Sequence, residues 1–172
     1  MTSTQDPSDP SAGSPGGELL TVHVLGLPVD VQRRAQQQNE GLTRELTLIA
    51  EQLRRQGAVG DLPVRLVELV EQLGHQYGGM SEAQEQQLED AGLSGAETID
   101  LTYRLPPSVA DAARALGHML DEADEYCREG KHLLTLATPP DLLAYRRWFL
   151  SQFTEQAAGH PPVPWSEFDP ES

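Results

Sequence analysis

The stretch LLTVHVLGL at residues 19–27, followed by Pro28, decides how the rest of this sequence is interpreted. Its run of apolar and β-branched residues predicts a buried strand. The next 28 residues, 29–56, contain no proline and predict one long helix. The same order of apolar strand, proline and amphipathic helix occurs twice more, with strands predicted at residues 97–105 and 132–137.

Between the first two predicted strands lie two further predicted helices, at residues 63–77 and 81–91, separated by Gly78-Gly79. Helices are also predicted at 109–129 and 139–158. Because helices connect the strands, we expect crossover connections and therefore at least partly parallel pairing. The predicted fold class is α/β: a small three-stranded, at least partly parallel sheet covered by four to five helices, one of them a long N-terminal helix.

Composition divides the chain into three parts. Residues 1–17 consist mostly of Ser, Thr, Pro, Asp and Gly and predict a disordered N-terminal tail. Residues 18–158 predict a single α/β domain, which is long enough to bury a core without a disulfide or a metal. Residues 159–172 predict a C-terminal tail that is rich in proline and aromatic residues.

The chain is strongly acidic, with 27 acidic against 12 basic residues and a net charge of −15. Phosphate backbones and anionic lipid surfaces repel such a chain, so we expect neither nucleic acid nor membrane as a partner. Residues 1–17 lack the basic and apolar regions of a secretory signal, and no apolar run is long enough to span a membrane. The predicted localisation is cytoplasmic.

No motif in the sequence predicts a catalytic, cofactor-binding or metal site. Cys127 lies on the apolar stripe of its predicted helix, which favours a buried, inert thiol. His118, Glu122, Glu125 and Glu129 share one helix face and are ligand types for a cation. They extend over about 16 Å of one helix, however, and this spacing favours a solvated face over a metal site.

The long first helix carries a heptad-like seam, formed by Ala35, Asn39, Leu42, Leu46, Ile49 and Leu53. A polar Asn39 at such a position can fix the register and oligomeric state of paired helices. Two interpretations stay open. Either the seam packs on the protein's own sheet, or part of the helix projects and pairs with a second subunit to form a homodimer.

The C-terminal tail, HPPVPWSEF at residues 160–168, carries two large side chains, Trp165 and Phe168. Its prolines favour extended geometry. Either the tail folds back and covers the domain's own core, or Trp165 and Phe168 dock into a partner.

Two segments, residues 20–46 (LTVHVLGLPVDVQRRAQQQNEGLTREL) and 132–153 (HLLTLATPPDLLAYRRWFLSQF), resemble small uncharacterised actinobacterial proteins. Those proteins accompany serine-kinase anti-sigma factors and their antagonists in partner-switching regulation. The resemblance covers about a third of the chain and implies a regulatory context, without a role for any residue. The chain lacks the magnesium-binding Glu-x-x-x-Asn box and the glycine-rich ATP lid of the kinases, so kinase activity is not expected.

We therefore predict a non-enzymatic cytoplasmic regulatory protein that acts through protein–protein interaction, in the stress or sigma-factor context that the resemblance implies. The predicted partner-binding residues are Asn39, Leu42, Leu46, Ile49, Trp165 and Phe168.

The alternative is a small-molecule-binding or enzymatic α/β domain, whose site would lie at the carboxyl ends of the strands. Gly26, Arg104, Pro106 and Thr138 would then surround the mouth of the site. Arg104 would anchor an anionic ligand there.

Overall fold

The computed structural model describes residues 18–57, 61–129 and 138–169. In chain order the elements are β1 (Leu20–Pro28), α1 (Val29–Arg55), α2 (Leu62–Ser94), β2 (Thr98–Leu105), α3 (Val109–Arg128), α4 (Pro140–Ala157) and a short 3-10 helix (Trp165–Glu167). Both strands and the long first helix lie where the sequence predicts them. Most of the described residues belong to helices.

The sheet of the described residues has two strands, and these pair antiparallel. Leu20 lies opposite Leu105, and Pro28 lies opposite Thr98. The predicted α/β class with a three-stranded, at least partly parallel sheet is therefore wrong, because the fold is mainly helical with a two-stranded antiparallel sheet. The predicted third strand, at residues 132–137, lies outside the described residues.

The strands run antiparallel because two helices connect them. The end of α1 lies beside the start of α2, where Arg54 pairs with Glu68 at 3.3 Å. The start of α1 lies beside the segment that follows α2, where the Val29 N–H donates to the Glu97 carbonyl at 3.0 Å. A single crossover helix would return the chain to the level at which β1 starts, and β2 would then run parallel to β1. The pair α1 and α2, here called the helical hairpin, instead returns the chain to the end of β1, and β2 therefore runs antiparallel to β1.

Helix α2 is continuous through Gly78-Gly79, where the sequence predicted a break and a capping box at Ser81. The Ser81 hydroxyl instead donates to the Gly78 carbonyl, one turn earlier, at 3.0 Å. Tyr77 and Leu88, on either side of the glycine pair, both pack against the core that contains the sheet. Tertiary packing on both sides therefore overrides the low helix propensity of the glycines.

We expect the double substitution Gly78→Ala/Gly79→Ala to raise the free energy of unfolding by about 1–2 kcal/mol, since alanine favours an exposed helix by about 1 kcal/mol per site. Open space surrounds the positions that both added Cβ atoms would occupy. Urea denaturation measures the change. Gly95→Ala is the control and should destabilise, because Gly95 ends α2 at a φ of 74°. A loss of stability in the double variant would instead indicate a break at Gly78-Gly79.

The buried apolar residues form two clusters with no member in common. The first joins the inner face of the sheet to α4 and contains Val22, Val24, Trp148 and Phe153. The second joins α1, α2 and α3; its members include Leu42, Leu46, Val64, Val67 and Ala123. Helix α3 contributes to both clusters and so connects the sheet to the helical hairpin.

Two glutamine side chains bond to backbone groups on the outer sides of the strands. Gln156 of α4 accepts the His23 N–H at 2.9 Å and donates to the His23 carbonyl at 2.7 Å. Gln84 of α2 donates to the Thr102 carbonyl at 2.6 Å. His23 and Thr102 lie opposite each other in the ladder. Helices α4 and α2 are therefore held to the sheet by directional bonds as well as by packing.

Candidate functional site

The predicted partner-binding seam of α1 lies partly in the protein's own core. Leu42 and Leu46 are 4% and 1% exposed and pack in the second cluster, against α2 and α3. Ile49 is half-buried and Asn39 is exposed. Leu42 and Leu46 therefore pack within the chain, on helices rather than on the sheet. Of the four residues, Asn39 is the one whose side chain is most open to a partner.

The aromatic residues of the tail pack against α4. The Trp165 ring meets the Trp148 ring edge-on at 5.4 Å, and Phe168 stacks on Trp165 at 6.2 Å. The Trp148 indole N–H donates to the Val163 carbonyl at 2.7 Å. Trp165 and Phe168 are both half-buried. The structure thus places the tail on the domain's own core; a partner contact at these two residues stays a prediction.

The predicted ligand mouth at the carboxyl ends of parallel strands is not formed. Because the strands are antiparallel, Arg104 lies opposite Thr21 at one end of the ladder, whereas Gly26 lies near the other end. The Gly26 amide is bound by the Asp100 carboxylate at 2.6 Å. Arg104 is exposed and forms no ion pair with any residue that the structure describes. A role for it as an anion ligand stays a prediction.

The acidic face of α3 is divided among ion pairs. Glu122 bonds to Arg65 of α2 at 2.6 Å, and Glu125 bonds to Arg128 on its own helix. Within residues 18–57, 61–129 and 138–169, no three His, Cys, Asp or Glu side chains are arranged to hold a metal ion. Cys127 is half-buried; burial first, and then nearby carboxylates, raise the pKa of its thiol. The thiol is therefore protonated at neutral pH.

A cavity of about 720 Å³, here called the central groove, lies between α1, α3 and α4. Its floor is apolar and includes Leu116, Leu142 and Phe149. Its rim along α1 is polar, with Gln36 and Asn39 among its members. An apolar floor with a few polar groups at the margin is typical of binding sites.

A second cavity, of about 900 Å³ and here called the acidic groove, lies on the other side of α1, against the last turns of α2. Glu82, Glu85, Glu89 and Leu93 line its α2 wall. Gln36 lines both grooves. The first part of α1, residues 29–41 and here called the α1 ridge, therefore stands between two concave surfaces.

The α1 ridge is poorly covered. Within the described range 29–41 no side chain is buried, and the buried residues of α1 begin only at Leu42. Val29, Val31 and Ala35 are apolar residues of the ridge, and all three are half-buried. Sequence periodicity predicted the helix but not this lack of cover, because cover depends on where the neighbouring helices pass.

Arg146 and Thr138, which line the central groove, belong to a partly buried cluster of charges. Arg146 bonds to Asp124 at 2.6 Å and to Asp121 at 2.7 Å, and its side chain is only 10% exposed. Asp124 also accepts the Thr138 N–H at 2.9 Å. Burial raises the pKa of Asp124, but the bonds from Thr138 and Arg146 outweigh it and hold the pKa below its ordinary value. The cluster is internally satisfied and joins α3 to the start of α4.

We expect Asp124→Asn to lower the free energy of unfolding by about 2 kcal/mol at pH 7, because it weakens a buried, charge-assisted bond to Arg146. The pKa of Asp124 is lower in the folded state than in the unfolded state. Its contribution is therefore fully present above an unfolded pKa of about 4 and is lost as the pH falls through the folded pKa.

Urea denaturation of the wild type and the Asp124→Asn variant at pH 7 and pH 3 tests this linkage. The difference between the two proteins should shrink at the lower pH. Asp121→Asn is the matched control, since the Asp121 side chain is 55% exposed and its substitution should have the smaller effect. A difference that does not change with pH would contradict the assignment.

In the part of the chain that the structure describes, none of the helices has the length and apolar character needed to cross a bilayer. Comparison with known protein families, with curated proteins and with solved structures finds no match to this chain.

Proposed function

We propose that this chain is a non-enzymatic regulatory protein that acts by binding another protein at the α1 ridge. One observation carries the proposal: a helical segment of thirteen residues without a buried side chain stands between two large grooves. Half-buried apolar side chains flanked by exposed polar ones, on a ridge between grooves, form a surface that a protein partner can cover.

The chemistry of the ridge supports a protein partner. Gln32, Gln36 and Asn39 on the rim of the central groove carry uncharged amides, each of which both donates and accepts hydrogen bonds. Burying an amide against a partner is far less unfavourable than burying a charge. The cores of protein interfaces are accordingly depleted in charged residues.

Two surface ion pairs and one buried phenol are poorly placed for acid–base catalysis. Arg34 bonds to Asp141 at 2.6 Å, and His160 bonds to Glu155 at 2.7 Å. These pairs are engaged with each other on the surface, whereas an acid or base catalyst must be free to reach a substrate. Burial and the charge of Glu85 raise the pKa of Tyr103 to about 12, which leaves its phenol protonated.

In this proposal the protein works in the cytoplasm, in the stress or sigma-factor context implied by its resemblance to proteins of partner-switching systems. The net charge of −15 disfavours nucleic acid and anionic lipid as alternatives. A second copy of the chain could occupy the same ridge, and the predicted homodimer is tested together with the partner.

Photo-crosslinking tests the α1 ridge directly. A benzophenone amino acid at Gln36, which lines both grooves, should capture a defined protein in the native cell. The same probe at Gln37, which is exposed but lines neither of these grooves, is the matched control and should capture much less. Equal patterns from the two positions, or none from either, would contradict the proposal. A crosslinked dimer of the chain itself would identify a second copy as the partner.

A small-molecule-binding function is the second candidate, and the volume of the central groove favours it. About 720 Å³ lies within the range of about 300–1,000 Å³ that is usual for ligand pockets. Native mass spectrometry of the purified protein distinguishes the candidates. A bound molecule that Asn39→Trp displaces would support this second function, whereas its absence together with Gln36-specific protein capture would support the first.

A further inference from the structure

We propose that the partner presents a basic amphipathic helix to the acidic groove. This inference rests on the proposed protein-binding function and names the chemistry of the segment that the surface recognises. It is carried by the shape of the groove, by its unbalanced charge and by an exposed leucine at one end.

The α2 wall of the acidic groove is a single face of the helix. Glu82, Glu85, Glu89 and Leu93 follow each other at steps of three, four and four residues, which places them along one side of α2. They extend over about 16 Å, or three helical turns. Val29 and other residues of the α1 ridge form the opposite wall. The groove therefore has two walls and a length of about three helical turns.

The carboxylates of this wall are not neutralised within the described residues. Eight of the eleven arginines pair with carboxylates elsewhere. Arg33, the one arginine that lines the groove, is bound to Asp30 at 2.6 Å. Glu85 accepts a hydrogen bond from the Ser81 hydroxyl at 2.8 Å, which leaves its charge in place. The groove thus presents three negative charges to an occupant.

The position of these charges is unfavourable to the helix that carries them. Like charges three or four residues apart repel each other along a helix. Glu89 also lies in the last turns of α2, where the helix dipole is negative, and the last turn of α2 contains no basic residue. Cations from a partner would relieve both effects on binding. This unfavourable placement of negative charges is a second reason, separate from the shape of the groove, to assign the groove to a basic occupant.

An apolar contact completes the surface. Leu93 is 83% exposed at the end of the wall, and Leu88, which also lines the groove, is half-buried. A complementary segment would carry lysine or arginine at steps of three and four residues and an apolar residue at one end. Such a segment is a helix that lays its basic face, with one apolar anchor at its end, into the groove.

A fluorescently labelled amphipathic helix of fourteen leucine and lysine residues is the probe, and anisotropy measures its affinity for the full chain. Glu85→Gln/Glu89→Gln should weaken binding about tenfold through lost charge complementarity. Glu71→Gln/Asp90→Asn is the matched control: it changes the same charge on the same helix outside the groove and should stay within about twofold. Leu93→Ala should weaken binding about threefold, because apolar contact is lost.

Three results would overturn the proposal. These are absence of binding, equal weakening by the two double variants, and a wild-type dimer in light scattering that Glu85→Gln/Glu89→Gln dissociates. The second result would indicate general attraction to an acidic chain, and the third would assign the groove to a second copy. Capture from Gln36 in the cell is independent of this probe. A partner captured there together with a failed peptide experiment would refute the basic helix alone.

Discussion

Removal of residues 160–172 is expected to lower the free energy of unfolding by about 4 kcal/mol. The truncation uncovers apolar surface that Trp165 and Phe168 protect, which accounts for about 2–3 kcal/mol. It also removes the Val163 carbonyl from the indole N–H of Trp148, a side chain with no exposed surface. A buried donor left without an acceptor destabilises by about 1–3 kcal/mol.

Urea denaturation of the full and shortened chains measures this loss. Trp165→Ala should account for about 2 kcal/mol of it. Ser166→Ala, at an exposed neighbouring position, should change the stability by less than about 0.5 kcal/mol. A shortened chain that keeps its full stability but no longer captures its partner would show that Trp165 and Phe168 serve the partner and not the core.

Leu46→Ala is expected to lower the free energy of unfolding by about 3 kcal/mol. Leu46 is 1% exposed and packs among residues of α2 and α3, so the substitution leaves a cavity. Leu48→Ala is the matched control, because Leu48 lies on the same helix and is 66% exposed. Its substitution should change the stability by less than about 0.5 kcal/mol.

The loss at Leu46 should be the same at every protein concentration, because the contacts of Leu46 lie within one chain. Chemical denaturation at low and high micromolar concentrations checks this. A loss that grows with dilution, or equal losses for Leu46→Ala and Leu48→Ala, would indicate that the seam of α1 pairs with a second subunit.

Local patterns predicted the elements of this fold well. The strand before Pro28, the alternating strand that ends at Leu105 and the long helix between residues 29 and 55 all agree with the structure within a few residues. Each depends on signals close in sequence, such as period-two alternation and proline at a boundary. These signals are present in the chain whatever surrounds it.

The direction of the strands could not be predicted in this way. It depends on whether the chain between β1 and β2 forms one crossover helix or a returning pair of helices. Gly78-Gly79 suggested a stop, but Tyr77 and Leu88 pack against the same core and keep α2 continuous. Packing against residues distant in sequence therefore decided the direction of the strands, which the local pattern at the glycines assigned wrongly.

The surfaces were also only partly predictable. The concentration of carboxylates after Ser81 is visible in the sequence, and so is the polar Asn39 on α1. The grooves are not, because their width depends on the distance between helices. The Arg146–Asp124 pair is likewise hidden, since its members lie 22 positions apart on different helices. The predicted ligand site at the carboxyl ends of the strands depends on parallel pairing, and the two strands are antiparallel.

The helical hairpin between the two strands also has a consequence for how the chain folds. Pro28 and Thr98 are partners in the sheet although 70 positions separate them in sequence. The chain entropy lost on closing so long a loop costs a free energy of about 4 kcal/mol plus a constant. Once α1 and α2 have packed against each other, the end of β1 and the start of β2 are already neighbours. We therefore expect the helical hairpin to form before the strands pair. The slow, long-range step of folding is then only the pairing of two strand ends that the hairpin already holds close together.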